Sequence, residues 1–305
     1  MTDDIAVFDR ALLRRRRDRA ATDFDTHDFL FRETADRLVD RLEDVKRRFQ
    51  VVADIGCHGG EVGQTLAERG FAQPVVQCDL SPRLAGRAAI AAKAPAIAAD
   101  EELLPFAAGS FDLVLSNLSL HWVNDLPGAL IQIRKSLAPD GLFIGSMLGG
   151  ETLTELRVAL QQAELELDGG ISPRLSPLAD VRDAGALLQR AGFALPVADM
   201  DRVTVTYSNP MKLLADLRGM GETNVVAKRR RNFLKRSTLM AAMERMMQDF
   251  TDSEGRVHAT FDIITLTGWA PDASQPKPLR PGSATQKLSD ALGAMEFKTD
   301  DKAGQ

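Results

Sequence analysis

The chain has 305 residues, 44% of them hydrophobic, and a formal net charge of −5. This length suffices for one large core or for a core with a small subdomain, and the negative charge argues against a general nucleic-acid-binding protein. Two cysteines are too few for a disulfide framework, and no apolar run approaches the roughly 20 residues that span a bilayer.

Residues 1–49 are predicted to form a helical N-terminal extension, of the kind that closes over the mouth of a nucleoside cleft. Its arginines at 14–17 and 19 form a basic run, which indicates either a solvated helix face or a contact with an acidic partner or with membrane phosphates. Asp3, Asp4 and Asp9 argue against an export signal or a mitochondrial presequence. We therefore expect a cytoplasmic bacterial protein, with peripheral contact to the inner membrane as an option.

Residues 51–60 predict a buried strand, a glycine-rich turn and the start of a helix. Asp54 ends the strand, and His58 stands where the dinucleotide-binding pattern Gly-x-Gly-x-x-Gly needs its second glycine. S-adenosylmethionine (SAM) has no phosphate and carries a cationic sulfonium and an ammonium group. An acid at the strand end suits this ligand better than a diphosphate, so we expect SAM and not a nicotinamide dinucleotide.

Three further strands are predicted downstream. Asp79 closes the apolar run 74–79, about 20 residues beyond the glycine turn, where a βαβ unit presents a carboxylate to ribose hydroxyls. Asp100 and Glu101 follow the next apolar segment, and residues 111–117 form a fourth strand that ends in Asn117. Helices near 60–69, 81–93 and 125–137 alternate with these strands, which predicts a doubly wound α/β fold with a parallel sheet.

The remaining elements extend this core to residues 50–270. A fifth strand is predicted at 142–148, a β-branched strand at 203–207 and a last, antiparallel strand at 257–269. Helical segments at 151–167, 179–191, 210–218 and 226–249 supply insertions near 150–180 and 208–250. The tail 271–305 is rich in proline, serine and lysine and is predicted to be poorly ordered.

The motifs Asp54-x-Gly56, Asp79-Leu80-Ser81 and Asp100-Glu101-Glu102 resemble those of class I SAM-dependent methyltransferases. Residues 118–127 are similar to the branch that holds the biotin-pathway malonyl-carrier-protein methyltransferase and the mitochondrial complex I assembly factor. Residues 149–157, 169–173, 190–193, 219–224 and 281–284 resemble the assembly-factor family.

This resemblance implies a seven-stranded Rossmann-like fold that binds SAM. The cofactor-binding residues predicted for it are Asp54, Gly56, Cys57, Gly60, Asp79, Leu80, Asp100, Glu101 and Asn117. It also implies that the substrate is an arginine of a respiratory complex I subunit, modified by hydroxylation and not by methyl transfer.

Five residues are candidates for the chemistry and for acceptor binding. His121 follows the fourth strand and is a candidate base or positioning group, although packing against the nucleoside is an alternative. Tyr207 is the only tyrosine and is either a substrate contact or a half-buried strand residue. Glu151, Glu155 and Glu222 could hold a guanidinium, or be solvated helix positions.

No metal site is predicted, because none of the four histidines lies in a His-x-Asp/Glu arrangement. Three functions remain open: an enzyme that modifies a protein arginine during complex I assembly, an O-methyltransferase of a carrier-protein-bound acid, and a non-catalytic assembly chaperone that keeps SAM as a structural ligand. The segments 149–151 and 219–222 favour the first or the third.

Overall fold

The computed structural model describes residues 6–71, 73–276 and 293. The chain divides into two units between residues 272 and 273. In the first unit the helices are α1 (Arg10–Ala20), α2 (Phe29–Glu43), α3 (Glu61–Glu68), α4 (Pro82–Ala91), α5 (Leu126–Ser136), α6 (Thr154–Asp168), α7 (Val181–Ala191), α8 (Pro210–Gly219) and α9 (Arg236–Asp249). The strands are β1 (Val52–Ile55), β2 (Val75–Asp79), β3 (Ala96–Ala98), β4 (Phe111–Ser116), β5 (Leu137–Gly149), β6 (Ala194–Tyr207) and β7 (Val257–Trp269).

The seven strands form one sheet in the order β3-β2-β1-β4-β5-β7-β6. Strands β1 to β5 pair in parallel, and β7 is antiparallel to both β5 and β6. The predicted doubly wound α/β fold, its seven strands and its antiparallel last strand are confirmed. Because β1, β2 and β4 are parallel neighbours, their carboxyl ends and the side chains that follow them meet at one edge of the sheet.

Helix α1 has an unusual buried face. Asp9 caps the helix by accepting a hydrogen bond from the Leu12 backbone N–H, which is a common way for a helix to begin. The buried positions are Leu13, Arg17 and Ala20, which share one side of the helix. An arginine therefore stands where an apolar residue is expected, and it is the feature that connects α1 to the functional site.

The sequence expectations differ from the structure in two places. The predicted helix 226–249 is wrong in its first part, because the structure has a helix only at α9 (Arg236–Asp249). A helix over this part would bring Arg231 next to Lys228 and Lys235, at spacings of three and four residues where like charges are unfavourable. Strands β5 and β6 are longer than predicted, since their antiparallel pairing with β7 continues over most of its length.

The tail 271–305 was predicted to be poorly ordered. Most of it, residues 277–292 and 294–305, lies outside the described part of the chain. Within the described residues, none of the helices combines the length and the hydrophobicity needed to cross a bilayer.

Candidate active site

Asp54, at the end of β1, is a buried carboxylate without a hydrogen-bond partner among the described residues. Burial raises the pKa of this carboxyl well above its ordinary value, and the nearby charges of Glu61 and Asp79 raise it further. A buried charged group without a partner destabilises the folded state. A cation placed beside Asp54 would remove that cost, so the site is suited to the ammonium or sulfonium of SAM.

Asp79, at the end of β2, is equally buried but has several partners. Its Oδ2 accepts hydrogen bonds from Arg17 Nη1 and from the His58 backbone N–H, both at 3.2 Å, and its Oδ1 accepts one from the Ser81 N–H at 2.7 Å. Burial raises the pKa of Asp79 to about 6, and the charge of Arg17 opposes this rise. The acid that would bind ribose hydroxyls is therefore held by the protein itself.

Glu101 is bonded by the same arginine. Arg17 Nη1 lies 3.1 Å from Glu101 Oε1, and the Ser119 hydroxyl donates to this oxygen at 2.5 Å. Arg10 contacts both Glu101 and Asp100. Although burial alone would raise the pKa of Glu101, the charges of Arg10 and Arg17 hold it below its ordinary value. Two arginines of α1 therefore neutralise the acids near the carboxyl ends of β2 and β3.

The glycine turn is packed closely against this cluster. Gly56 has a φ of +72°, and a Cβ there would lie 2.2 Å from Ser119. Gly60 has a φ of +96°, and a Cβ there would lie 2.9 Å from the Ala88 Cα. Both positions therefore require glycine for conformation and for space. Cys57, between them, is a buried thiol whose pKa is raised, chiefly by burial.

His58 is neutral and completely enclosed. Its Nε2 lies 2.9 Å from the Asn117 carbonyl oxygen, so Nε2 carries the proton, and its ring packs 4.4 Å from the Phe31 ring. Burial lowers the pKa of His58 to about 3, and Arg17 lowers it further. The Asn117 side chain donates to the Phe31 carbonyl at 2.8 Å and accepts from the Ser146 hydroxyl at 3.0 Å. Leu80, by contrast, is half-buried.

A second site, which we call the acceptor pocket, opens beside this cleft and has a volume of about 50 Å³. Its walls are mainly apolar, and its polar lining consists of His121, Trp122, Thr152, Arg157, Arg174, Ser176, Glu222 and Asn224. Glu222 Oε2 accepts hydrogen bonds from His121 Nε2 and Trp122 Nε1, each at 2.9 Å. Burial would raise the pKa of Glu222, but His121, Arg17 and Trp122 together hold it below its ordinary value. The pocket therefore contains a carboxylate that is ionised and fixed in orientation.

His121 uses both ring nitrogens in this arrangement. Nε2 donates to Glu222, and Nδ1 accepts a long 3.4 Å bond from the Leu148 backbone N–H. This network assigns the proton to Nε2. His121 therefore positions Glu222 in this structure. Tyr207 lies in the hydrophobic core with Phe24 and does not line the acceptor pocket.

Of the three candidate acceptor acids, Glu222 alone lines the pocket. Glu155 is buried, and its carboxylate accepts bonds from the Thr260 backbone N–H at 3.1 Å and from the Thr260 hydroxyl. Glu151 is exposed at the surface. The structure thus brings Glu222 together with His121, while Glu155 connects α6 to β7.

Sequence reasoning missed Arg17 as a site residue and did not single out Arg157 or Arg174. A usable signal for Arg17 was present, because Leu13, Arg17 and Ala20 repeat at the spacing of a buried helix face. Arg157 and Arg174 carried no comparable signal, since they reach the pocket through tertiary packing.

Comparisons with known proteins agree with this geometry. Residues 53–145 match a family described as a methyltransferase domain. The chain is 43% identical over 296 residues to the mitochondrial arginine hydroxylase NDUFAF5 of Danio rerio, covering 96% of this chain and 92% of that protein. It is 35% identical over 283 residues to a malonyl-[acyl-carrier protein] O-methyltransferase of Methylovorus, covering 90% and 93%. A solved phosphoethanolamine N-methyltransferase of Haemonchus contortus superposes with a TM-score of 0.53 at 16% identity, covering 85% of this chain and 60% of that one, which shows the shared fold.

Proposed function

Because the chain belongs to the methyltransferase-fold family of the arginine hydroxylase NDUFAF5, we propose that it binds SAM at the edge formed by β1, β2 and β3 and modifies a protein arginine. The acceptor we propose is a subunit of respiratory complex I, met during assembly. The modification is either methyl transfer, in which SAM supplies the methyl group, or hydroxylation, the activity in the name of the relatives, which also requires an oxidant that supplies the oxygen atom.

The observation that carries this proposal is the state of Glu222. Its carboxylate is ionised, is held by His121 and Trp122, and lines a pocket with largely apolar walls to which Arg157 and Arg174 also contribute. A planar guanidinium pairs with a carboxylate through two parallel hydrogen bonds, and apolar walls strengthen such a pair by excluding water. His121 and Trp122 keep the carboxylate in place while the acceptor enters.

The residues at the ends of β1 and β2 support SAM binding. Asp54, which has no hydrogen-bond partner among the described residues, would hold a cationic group of the cofactor, and Asp79 would accept bonds from ribose hydroxyls. Asp100, Glu101 and Asn117 lie beside these acids, with Gly56, Cys57, Gly60 and Leu80 in the adjoining backbone. When bound there, SAM would supply an electrophilic methyl group. Since Arg17 already bonds Asp79 and Glu101, α1 must shift before the nucleoside can use them.

A second candidate function is methylation of a carrier-protein-bound acid. It is favoured by Arg157, whose buried Nε has no hydrogen-bond partner among the described residues and lies in the lining of the same pocket. A carboxylate acceptor would satisfy that N–H. The chain also shares 35% identity with a malonyl-[acyl-carrier protein] O-methyltransferase. A chaperone that holds SAM without chemistry is the third candidate.

Intact mass spectrometry separates the three functions. Complex I subunits are prepared from cells with and without this protein, and malonyl-carrier protein is incubated with the protein and SAM. A gain of one oxygen or one methyl on an arginine of one subunit supports the proposal. A methyl on the carrier-bound acid supports the second candidate. No mass change on either acceptor, with complex I still dependent on the protein, leaves the chaperone.

A further inference from the structure

A groove next to the acceptor pocket concentrates positive charge. It has a volume of about 640 Å³, and we call it the basic groove, defined by Arg15, Arg16, Arg174, Arg229, Arg230 and Arg231. Two segments distant in the sequence meet there, the arginine run of α1 and the irregular segment before α9. The chain as a whole has a net charge of −5, so this concentration is a local departure from its average.

The arginines of the basic groove are only partly neutralised. Among the described residues, Arg15, Arg230 and Arg231 form no ion pair with a carboxylate, whereas Arg174 pairs with Glu164 at 2.6 Å and Arg229 approaches Asp9 at 3.5 Å. Arg16 donates to the Thr223 hydroxyl, which is uncharged. Burial lowers the pKa of Arg16, and the charges of the neighbouring Arg229 and Arg19 lower it further. The groove therefore holds like charges close together, and an anionic partner would relieve their repulsion.

An apolar side chain stands among these charges. Phe233 is fully exposed, with a relative exposure of 101%, and it lines the basic groove together with Leu234 and Leu239. An exposed aromatic ring with cationic neighbours is typical of a protein-binding surface, where aromatic and arginine side chains contribute most of the binding energy. The groove is suited to a segment that alternates acids with an apolar residue.

The basic groove is continuous with the acceptor pocket. Arg174 and Asn224 line both. An extended peptide in the groove would therefore pass the mouth of the pocket in which Glu222 lies. A flat lipid surface would reach the rim of such a concave groove but not its floor, which favours a peptide over a membrane.

We propose that the basic groove binds an acidic segment of the protein acceptor, next in sequence to the residue that enters the acceptor pocket. This inference rests on the proposed function for its acceptor, but the groove makes its own contribution to binding. Recognition then has two parts, a general attraction of acidic segments by the groove and a specific pairing of one side chain with Glu222.

The test uses two fluorescein-labelled peptides and fluorescence anisotropy. The first peptide is rich in Asp and Glu with one Leu, and the second adds a single Arg at one end. The groove variant is Arg230→Glu with Arg231→Glu. A milder variant, Arg230→Gln with Arg231→Gln, is measured as well, in case the charge reversal prevents folding. The control, Arg83→Glu with Arg190→Glu, makes the same charge change at two exposed positions outside the groove.

We expect the groove variant to weaken binding of both peptides at least about tenfold, and the control by less than about twofold, because surface charges beyond a Debye length are screened. Equal binding by the groove variant and the control would overturn the proposal. So would loss of co-sedimentation with phosphatidylcholine–phosphatidylglycerol vesicles in the groove variant with unchanged peptide binding, since the surface would then be a membrane contact.

The proposed function fails separately. Glu222→Gln should weaken only the peptide that carries Arg. If the added Arg does not increase affinity for the unsubstituted protein, the proposal that the acceptor is an arginine is wrong. The proposal for the groove is then still supported by binding of the peptide without Arg.

Discussion

The cofactor cleft and the acceptor pocket lie side by side, yet they treat buried acids in opposite ways. In the cleft, Asp79 and Glu101 are less than 2% exposed and are bonded by Arg17 from α1. In the pocket, the Glu222 side chain is 5% exposed and is bonded by His121 and Trp122. The cleft therefore pairs its acids with arginine, whereas the pocket holds its carboxylate with a histidine and a tryptophan.

This difference indicates different costs of binding. A ligand of the cleft must replace an internal ion pair, so part of its intrinsic affinity is used to shift α1. A ligand of the pocket finds a carboxylate that is already oriented and that pairs with no arginine within ion-pair distance among the described residues. The following predictions test this contrast, beginning with the largest expected effect.

Replacing Glu222 with Gln should abolish acceptor modification, with a loss of at least about 100-fold, because the charged half of the guanidinium pair disappears. SAM affinity should stay within about twofold by calorimetry. Glu151→Gln, an exposed acid of the same region, is the matched control. Modification that survives Glu222→Gln would place the arginine site elsewhere.

Replacing Asp54 with Asn should weaken SAM binding about 30-fold, since a charge-assisted bond contributes about 2 kcal/mol. The same change should raise the melting temperature at neutral pH by roughly 2–4 °C, because it removes a buried charge that has no partner.

The pH dependence of this gain follows from the raised pKa of Asp54. The pKa of this carboxyl is higher in the folded protein than in the unfolded chain. Below the unfolded-state pKa the carboxyl does not destabilise the fold, and this stability is lost as the pH rises through the folded-state pKa. The rise in melting temperature caused by Asp54→Asn should therefore vanish below about pH 4, the pKa of an aspartate in the unfolded chain. Differential scanning calorimetry measures it, with the exposed Glu68→Gln as the control. A drop in melting temperature would mean that Asp54 has a partner.

Replacing Arg17 with Met should tighten SAM binding about fivefold, because it removes the competitor for Asp79. The free protein should melt at a lower temperature, since Asp79 and Glu101 would lose a buried partner. Arg14→Met, at an exposed position of the same helix, is the control. Weaker SAM binding in Arg17→Met would show that the arginine belongs to the bound state.

Replacing Tyr207 with Phe should leave both SAM affinity and modification within about twofold. The side chain is buried in the core and is absent from the pocket lining, and removing a hydroxyl outside the reacting region leaves transition-state contacts intact. A large loss of the modification rate with unchanged SAM affinity would indicate that Tyr207 takes part in the reaction.

The sequence predicted those residues of the cleft whose positions are determined by neighbouring strands. Asp54 and Asp79 converge because β1 and β2 are parallel neighbours with matched ends, and the apolar runs that encode these strands are local. Arg17 was not predictable in this way. It bonds residues 62, 84 and 102 positions away, and no local pattern encodes such contacts.

The acceptor pocket shows the same limit. Glu222 contacts His121, which lies 101 positions away in the sequence. Glu155 was an equally good candidate from the sequence, but it bonds Thr260. Helical spacing places a side chain on a face, but the packing of other elements decides what that face meets. The start of α9 was misjudged for an electrostatic reason, because hydrophobic periodicity does not register repulsion between neighbouring cations.

The position of Arg17 also couples the two sites. Its positive charge bonds Asp79 and Glu101 and also helps to lower the pKa of Glu222. Once Arg17 leaves the cleft, Glu222 loses part of its compensation and should attract a guanidinium more strongly. We therefore expect the nucleoside to tighten the binding of the acceptor. Linkage requires reciprocity, so the acceptor should tighten the binding of the nucleoside by the same factor.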